Sequence, residues 1–129
     1  MEEIGEIRYY NYDHTNIIIR CIINVHKELG PGFIESIYRN SLLIELASVG
    51  LNVEEEKEVR IFYKGKNVGI HRIDILVENH IIIELKTVES LSKAHYSQIR
   101  SYLKATGLKL GILVNFSNEK ADFRRIEMN

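Results

Sequence analysis

An α/β fold, with helices packed against a mixed β-sheet, is what this sequence predicts. Three observations carry that prediction. Two segments in the first half repeat apolar residues at helical spacing, and glycine stops each of them. The middle of the chain then switches to strand patterning, over three stretches separated by short polar turns. A further helical segment leads into an apolar strand.

Residues 1–13 are polar and aromatic without a clear period, and they read as an N-terminal arm or a short edge strand. From about Thr15 to Leu29, the residues Ile18, Ile22, Val25 and Leu29 recur at helical spacing, with Ile19 and Cys21 widening the stripe. Gly30-Pro31-Gly32 ends that helix. A second helix spans about Ile34 to Val49, with Gly50 as its C-cap. Val53 to Tyr63 is a long strand, and Lys64-Gly65-Lys66-Asn67 is the turn after it. Val68 to Val77 and Ile81 to Val88 are the next two strands. The Ile81-Ile82-Ile83 run marks a strand covered on both faces. A third helix covers about Ser92 to Ala105 and closes at Gly107. Leu108 to Asn115 is a fourth strand, and Asp122 to Met128 a short fifth. The first three strands form an antiparallel meander. The fourth follows a helical crossover, so it is expected to join parallel to the third.

At 129 residues the chain is expected to form one domain spanning 1–129. Its net charge of −1 provides no global basic field, so nucleic-acid binding would need a local patch. Cys21 is the one cysteine, which suits a reducing cytoplasm. The acidic start Met-Glu-Glu-Ile-Gly-Glu has no secretory h-region, and no apolar run approaches the length of a membrane span. The histidines show no zinc-ligand spacing with each other or with Cys21. There is no phosphate-cradling Walker loop and no nucleophile elbow.

The chemistry is concentrated in Arg72-Ile73-Asp74-Ile75-Leu76-Val77-Glu78-Asn79-His80-Ile81-Ile82-Ile83-Glu84-Leu85-Lys86. Glu78-Asn79-His80 is the polar break in an apolar run, and Asn79 is the midpoint of Asp74 and Glu84. A hairpin turning there sets Asp74 opposite Glu84, with Cβ atoms about 4.5–5.5 Å apart on one sheet face. Lys86 shares that face by period-two alternation. Opposed like charges destabilise a sheet, so the pair needs a cause. A structural ion pair with Lys86 is the bland explanation. A Mg²⁺ or Mn²⁺ ion between hard oxygen ligands is the functional one. Arg72 has the parity of Asp74 and is expected to face the same patch and hold a phosphate.

Asp74 followed by Glu84-Leu85-Lys86 on the next strand resembles the PD-(D/E)xK nuclease superfamily, as does the order of helices and strands. Ile73 stands where that signature has proline. Gly32-Phe33-Ile34-Glu35-Ser36-Ile37-Tyr38 resembles the motif of the GxxExxY family within that superfamily. Gln98-Ile99-Arg100-Ser101-Tyr102 is similar to the QxxxY motif of its RecB-like and Cas4-like branch. The resemblance covers roughly residues 15–126 and implies a restriction-endonuclease-like core. It also implies that Asp74, Glu84, the Leu85 carbonyl and Glu35 hold one or two Mg²⁺ or Mn²⁺ ions, with Lys86 beside the attacking water. Gln98 and Tyr102 are then expected to touch the nucleic-acid backbone. Tyr38 is balanced between such a contact and a core position with a hydrogen-bonded hydroxyl. His95 reads as an ordinary helix residue.

The function expected is metal-dependent hydrolysis of phosphodiester bonds in DNA, with RNA as a second candidate substrate. The rival is a non-catalytic nucleic-acid-binding or protein-interaction module on a nuclease fold. A homodimer that spans a duplex is a further expectation.

Overall fold

The structure is a computed structural model that describes the backbone of residues 2–128 and the side chains of residues 14–128. Its elements in order are α1 (Glu2–Leu29), α2 (Glu35–Ser48), β1 (Val53–Tyr63), β2 (Lys66–Val77), β3 (Ile81–Lys86), α3 (Lys93–Thr106), β4 (Leu110–Asn115) and β5 (Asp122–Glu127). The sheet runs β1-β2-β3-β4-β5. Every pairing is antiparallel except β3 with β4, which are parallel across the α3 crossover. The mixed α/β architecture is therefore the predicted one.

Helices cover both faces. Ile18, Cys21, Ile22 and Val25 of α1 and Tyr38, Leu42 and Leu46 of α2 pack on one side, against Ile75, Ile83, Leu85 and Ile112. Ile99, Tyr102 and Leu103 of α3 cover the other, against Ile73, Ile82 and Leu113. This explains the unbroken apolar runs of β3 and β4: each alternating side chain meets a helix layer. Gly111 lets α3 approach closely, since a Cβ there would come within 2.8 Å of Ile99 Cδ1. Gly107, in the left-handed region at φ 78°, closes α3 as expected. Ser92 starts that helix, and its N–H donates to His95 Nδ1 at 3.0 Å, so His95 is a capping residue.

Several boundaries shift by one or two residues, with β2 beginning at Lys66 rather than Val68 and β4 at Leu110 rather than Leu108, and two further differences have a clear physical cause. Residues 2–13 are not an arm or strand but the first half of α1, and Met1 lies outside the described residues. No proline interrupts this stretch, and a helix anchored by its packed half extends at one hydrogen bond per added residue. β3 ends at Lys86 rather than Val88 because a buried side chain takes over. Asn115 accepts from the Val88 N–H at 3.1 Å and donates to the Val88 carbonyl at 2.8 Å. Among the described residues, no helix is long and apolar enough to cross a membrane.

Candidate active site

The β2–β3 hairpin pairs Ile75 with Ile83, Leu76 with Ile82 and Val77 with Ile81, which centres the turn on Asn79. Glu78 and Asn79 take positive φ values of 52° and 58° there, the conformation that tight hairpin turns demand. This register carries Asp74 to Glu84, as their spacing predicts. At that position the backbone ladder stops and side chains replace it. The Asp74 N–H donates to Glu84 Oε1 at 3.1 Å, and the Leu85 N–H donates to Asp74 Oδ2 at 2.9 Å. The carboxyl groups therefore lie across the strands, each accepting from a backbone N–H of the neighbouring strand, instead of standing in parallel on one face. The disturbance reaches β1, where the register passes from Glu55–Ile75 to Lys57–Ile73 and skips Glu56 and Asp74. Ile73 then packs under α3, while Ile75 packs under α1 and α2.

The electrostatics follow from burial. Glu84 is 4 % exposed. Burial, and then the charge of Asp74, pushes its carboxyl up to about 8. Burial raises Asp74 as well, opposed by the Leu85 N–H and by the charges of Arg39 and Lys86. Glu35, at the first turn of α2, is raised by burial and then by Asp74. Lys86 and Arg39 act on it in the other direction. Three carboxyls and two cations from α2, β2 and β3 thus share one electrostatic environment.

Lys86 is held from the α3 side. Its ammonium donates to Gln98 Oε1 at 2.9 Å. Burial and then the charges of Glu84 and Asp74 push the Tyr102 hydroxyl up to about 12, with Gln98 acting in the other direction. The Gln98–Tyr102 pair, one turn apart on α3, is therefore a bracket for the lysine. The Lys86 carbonyl accepts from Phe116 N–H at 3.0 Å, so the backbone is fixed as well.

The remaining candidates separate. Leu85 contributes its N–H to Asp74, and its side chain is fully buried. Tyr38 is fully buried too, stacked on Phe116 with centroids 4.5 Å apart. Its hydroxyl donates to the Gly30 carbonyl at 2.5 Å and accepts from the Phe33 N–H at 3.3 Å. It fastens the turn before α2, where Gly32 adopts φ 110°, so a nucleic-acid contact by Tyr38 is corrected to a structural role. Removing that hydroxyl with Tyr38→Phe is expected to lower stability by about 1–2 kcal/mol in urea unfolding, with nucleic-acid affinity unchanged. Arg72 is not brought to the carboxylates. Its side chain is 67 % exposed and pairs with Glu58, its register partner, at 3.3 Å. The irregularity at Asp74 breaks the parity that would have aligned them.

Arg39 was missed by the sequence reading. It lies one residue beyond the Gly32–Tyr38 segment, on α2 four residues after Glu35. Its charge acts on both Glu35 and Asp74. Its Nε is buried without a hydrogen-bond partner among the described residues. The i,i+4 relation to Glu35 was the available signal.

Among the described residues, no three His, Cys, Asp or Glu side chains form a ready-made metal cage. Asp74 and Glu84 are engaged with backbone N–H groups, and Glu35 approaches from another element. The donor set nonetheless suits a hard divalent cation. All three groups are carboxyl oxygens, and their burial and mutual repulsion are what a cation relieves.

A mixed sheet with helices on both faces, and paired carboxylates with a lysine where two strands part, define a nuclease-like α/β core. The chain belongs to the PD-(D/E)XK nuclease superfamily, whose family model matches residues 12–126. Among curated proteins none matches it. The crystal structure of SSO0001 superposes with a TM-score of 0.58 at 27 % identity, over 71 % of this chain and 48 % of that one. An alkaline exonuclease (LHK-Exo) from Laribacter hongkongensis aligns with a TM-score of 0.45 at 16 % identity, over 73 % and 56 % of the two chains. This chain thus spans about half the length of the solved structures it matches.

Proposed function

We propose that this protein hydrolyses phosphodiester bonds of DNA in a reaction that requires Mg²⁺ or Mn²⁺. The observation that carries the reading is the reciprocal Asp74–Glu84 arrangement, with Lys86 held beside it by Gln98. Asp74, Glu84 and the Leu85 carbonyl would hold the ion, with Glu35 completing the set from α2. When bound, the ion would supply Lewis-acid polarisation of the phosphate and a lowered pKa for the attacking water.

The chain's own residues account for the rest. The Lys86 ammonium, fixed at one end of the carboxylate pair, orients water by hydrogen bonding and offsets charge developing on the phosphate. Arg39 adds a second cation on the α2 side. Tyr102, one turn after Gln98 on α3, keeps its proton across the physiological range, and the Gln98 amide oxygen accepts from the Lys86 ammonium. The Gly32–Glu35–Tyr38 spacing and the Gln98–Tyr102 pair support placement in the GxxExxY group and its RecB-like and Cas4-like branch. The single buried thiol of Cys21 fits a reducing, cytoplasmic setting.

The test is cleavage of plasmid and linear DNA in Mg²⁺ or Mn²⁺, beside chelator and a Lys86→Ala control. Cleavage that needs the ion and the lysine is the expected result. Equal cleavage by wild type and Lys86→Ala, or in chelator, would expose a contaminant and refute the assignment.

A further inference from the structure

β3 pairs with β2 only as far as Ile75. Beyond Ile73, β1 and β2 continue alone as a two-stranded ribbon that ends at the Lys64–Gly65 turn. The ribbon is unusually apolar for a free projection: Phe62 is 61 %, Tyr63 64 %, Val68 62 % and Ile70 51 % exposed. A groove of about 460 Å³ separates it from the C-terminal half of α3, lined by Arg60, Phe62, His71 and Lys104 among others. That volume falls in the range of ligand sites, roughly 300–1,000 Å³.

Two features select the occupant. The first is charge. Glu54 and Glu58 of β1 are taken by Lys57 and Arg72, whereas Arg60, Lys66 and Lys104 make no ion pair among the described residues. Among the described residues that line the groove, Arg60 and Lys104 are cationic and none is acidic. The second is connection to the reaction. The His71 ring, which lines the groove, meets the Tyr102 ring edge-on at 4.6 Å. Gln98, one turn before Tyr102 on α3, influences the Tyr102 hydroxyl and accepts from the Lys86 ammonium. The groove is therefore connected to the catalytic lysine through Tyr102 and Gln98.

We propose that this groove binds unpaired nucleotides flanking the phosphate to be cleaved, an inference that rests on the nuclease reading above. Phe62 stacks on a base, while Arg60 and Lys104 contact phosphates. Exposed aromatic faces interleaved with cations suit a single strand, whose base faces are free, and not a duplex, whose base faces are stacked inside.

Fluorescence anisotropy in chelator, with a labelled single-stranded oligodeoxynucleotide and the blunt duplex of the same sequence, separates the cases. Wild type is expected to prefer the single strand, and Phe62→Ala to weaken that binding roughly tenfold while barely changing duplex binding. Arg60→Glu with Lys104→Glu is expected to weaken both and to flatten the salt dependence. Thermal unfolding of each variant confirms that it is folded. A duplex preference in wild type, or equal single-strand affinity of Phe62→Ala and wild type, overturns the inference. Cleavage in Mn²⁺ is read separately. An inert wild type that still discriminates single strands through Phe62 removes the nuclease reading and leaves the groove. Lys86-dependent cleavage with no role for Phe62 removes the groove and leaves the nuclease.

Discussion

Glu84→Gln is expected to make the metal-free protein more stable at pH 8 while severely reducing the proposed nuclease activity. Glu84 is buried and hydrogen-bonded, and its carboxyl sits near 8 in the fold against 4.5 for an ordinary glutamate. Between those values the folded state holds a proton that the unfolded state has released. Stability therefore falls as pH rises from about 4.5 to about 8, then levels off. Glutamine removes the ionisation but keeps an oxygen that can accept the Asp74 N–H. In chelator at pH 8 the gain is on the order of 2–4 kcal/mol, or roughly 5–15 °C in Tm. Near pH 4.5 the variant and wild type should melt together. Mg²⁺ or Mn²⁺ should raise the Tm of wild type and leave that of Glu84→Gln almost unchanged, because only a state that binds the ion gains from it. Cleavage should fall by roughly 10³-fold or more. Identical melting curves at pH 8 in chelator would show that burial of Glu84 is not the source of strain.

Lys86→Ala is expected to lower kcat by about 10²–10⁴-fold while divalent-ion binding measured by calorimetry persists. Lys86 is no metal ligand, so its loss should separate chemistry from ion affinity. Gln98→Ala should give a smaller loss, about tenfold, carried by kcat with KM little changed. It removes the 2.9 Å bond that aims the ammonium but leaves the ammonium in place. If Gln98→Ala matched wild type in kcat, the α3 bracket would have no part in positioning Lys86. If Lys86→Ala abolished ion binding as well, the lysine would be organising the carboxylates and not the reaction.

The site was legible where local geometry decides it. The Asp74–Glu84 pairing follows from a turn centred on Asn79, and the observed register places that centre where the polar break lies. The mixed sheet with a parallel β4 follows from a helical crossover between two apolar strands. Spacing failed where one strand irregularity mattered. Arg72 shares parity with Asp74, but the break at Glu56 and Asp74 cancels that relation, and Arg72 pairs with Glu58 instead. Tyr38 shares the helix face of Glu35 by i,i+3 spacing, yet spacing does not say that the face turns from charge to core within one turn. Tyr38 lies wholly inside, on Phe116. Arg39 was passed over because an arginine on an amphipathic helix ordinarily points to water.

What the sequence determined by itself is the element order, the hairpin register and the identity of the carboxylate pair with its lysine. Each depends on residues within about a dozen positions, where turn chemistry and periodicity act directly. Only the tertiary structure decided that the carboxyl groups lie across the strands, that α3 fastens Lys86 through Gln98, and that α2 delivers Arg39 with Glu35. Those contacts join elements distant in sequence. Their geometry is set by how two helix layers close on opposite faces of one sheet, and no local pattern encodes it.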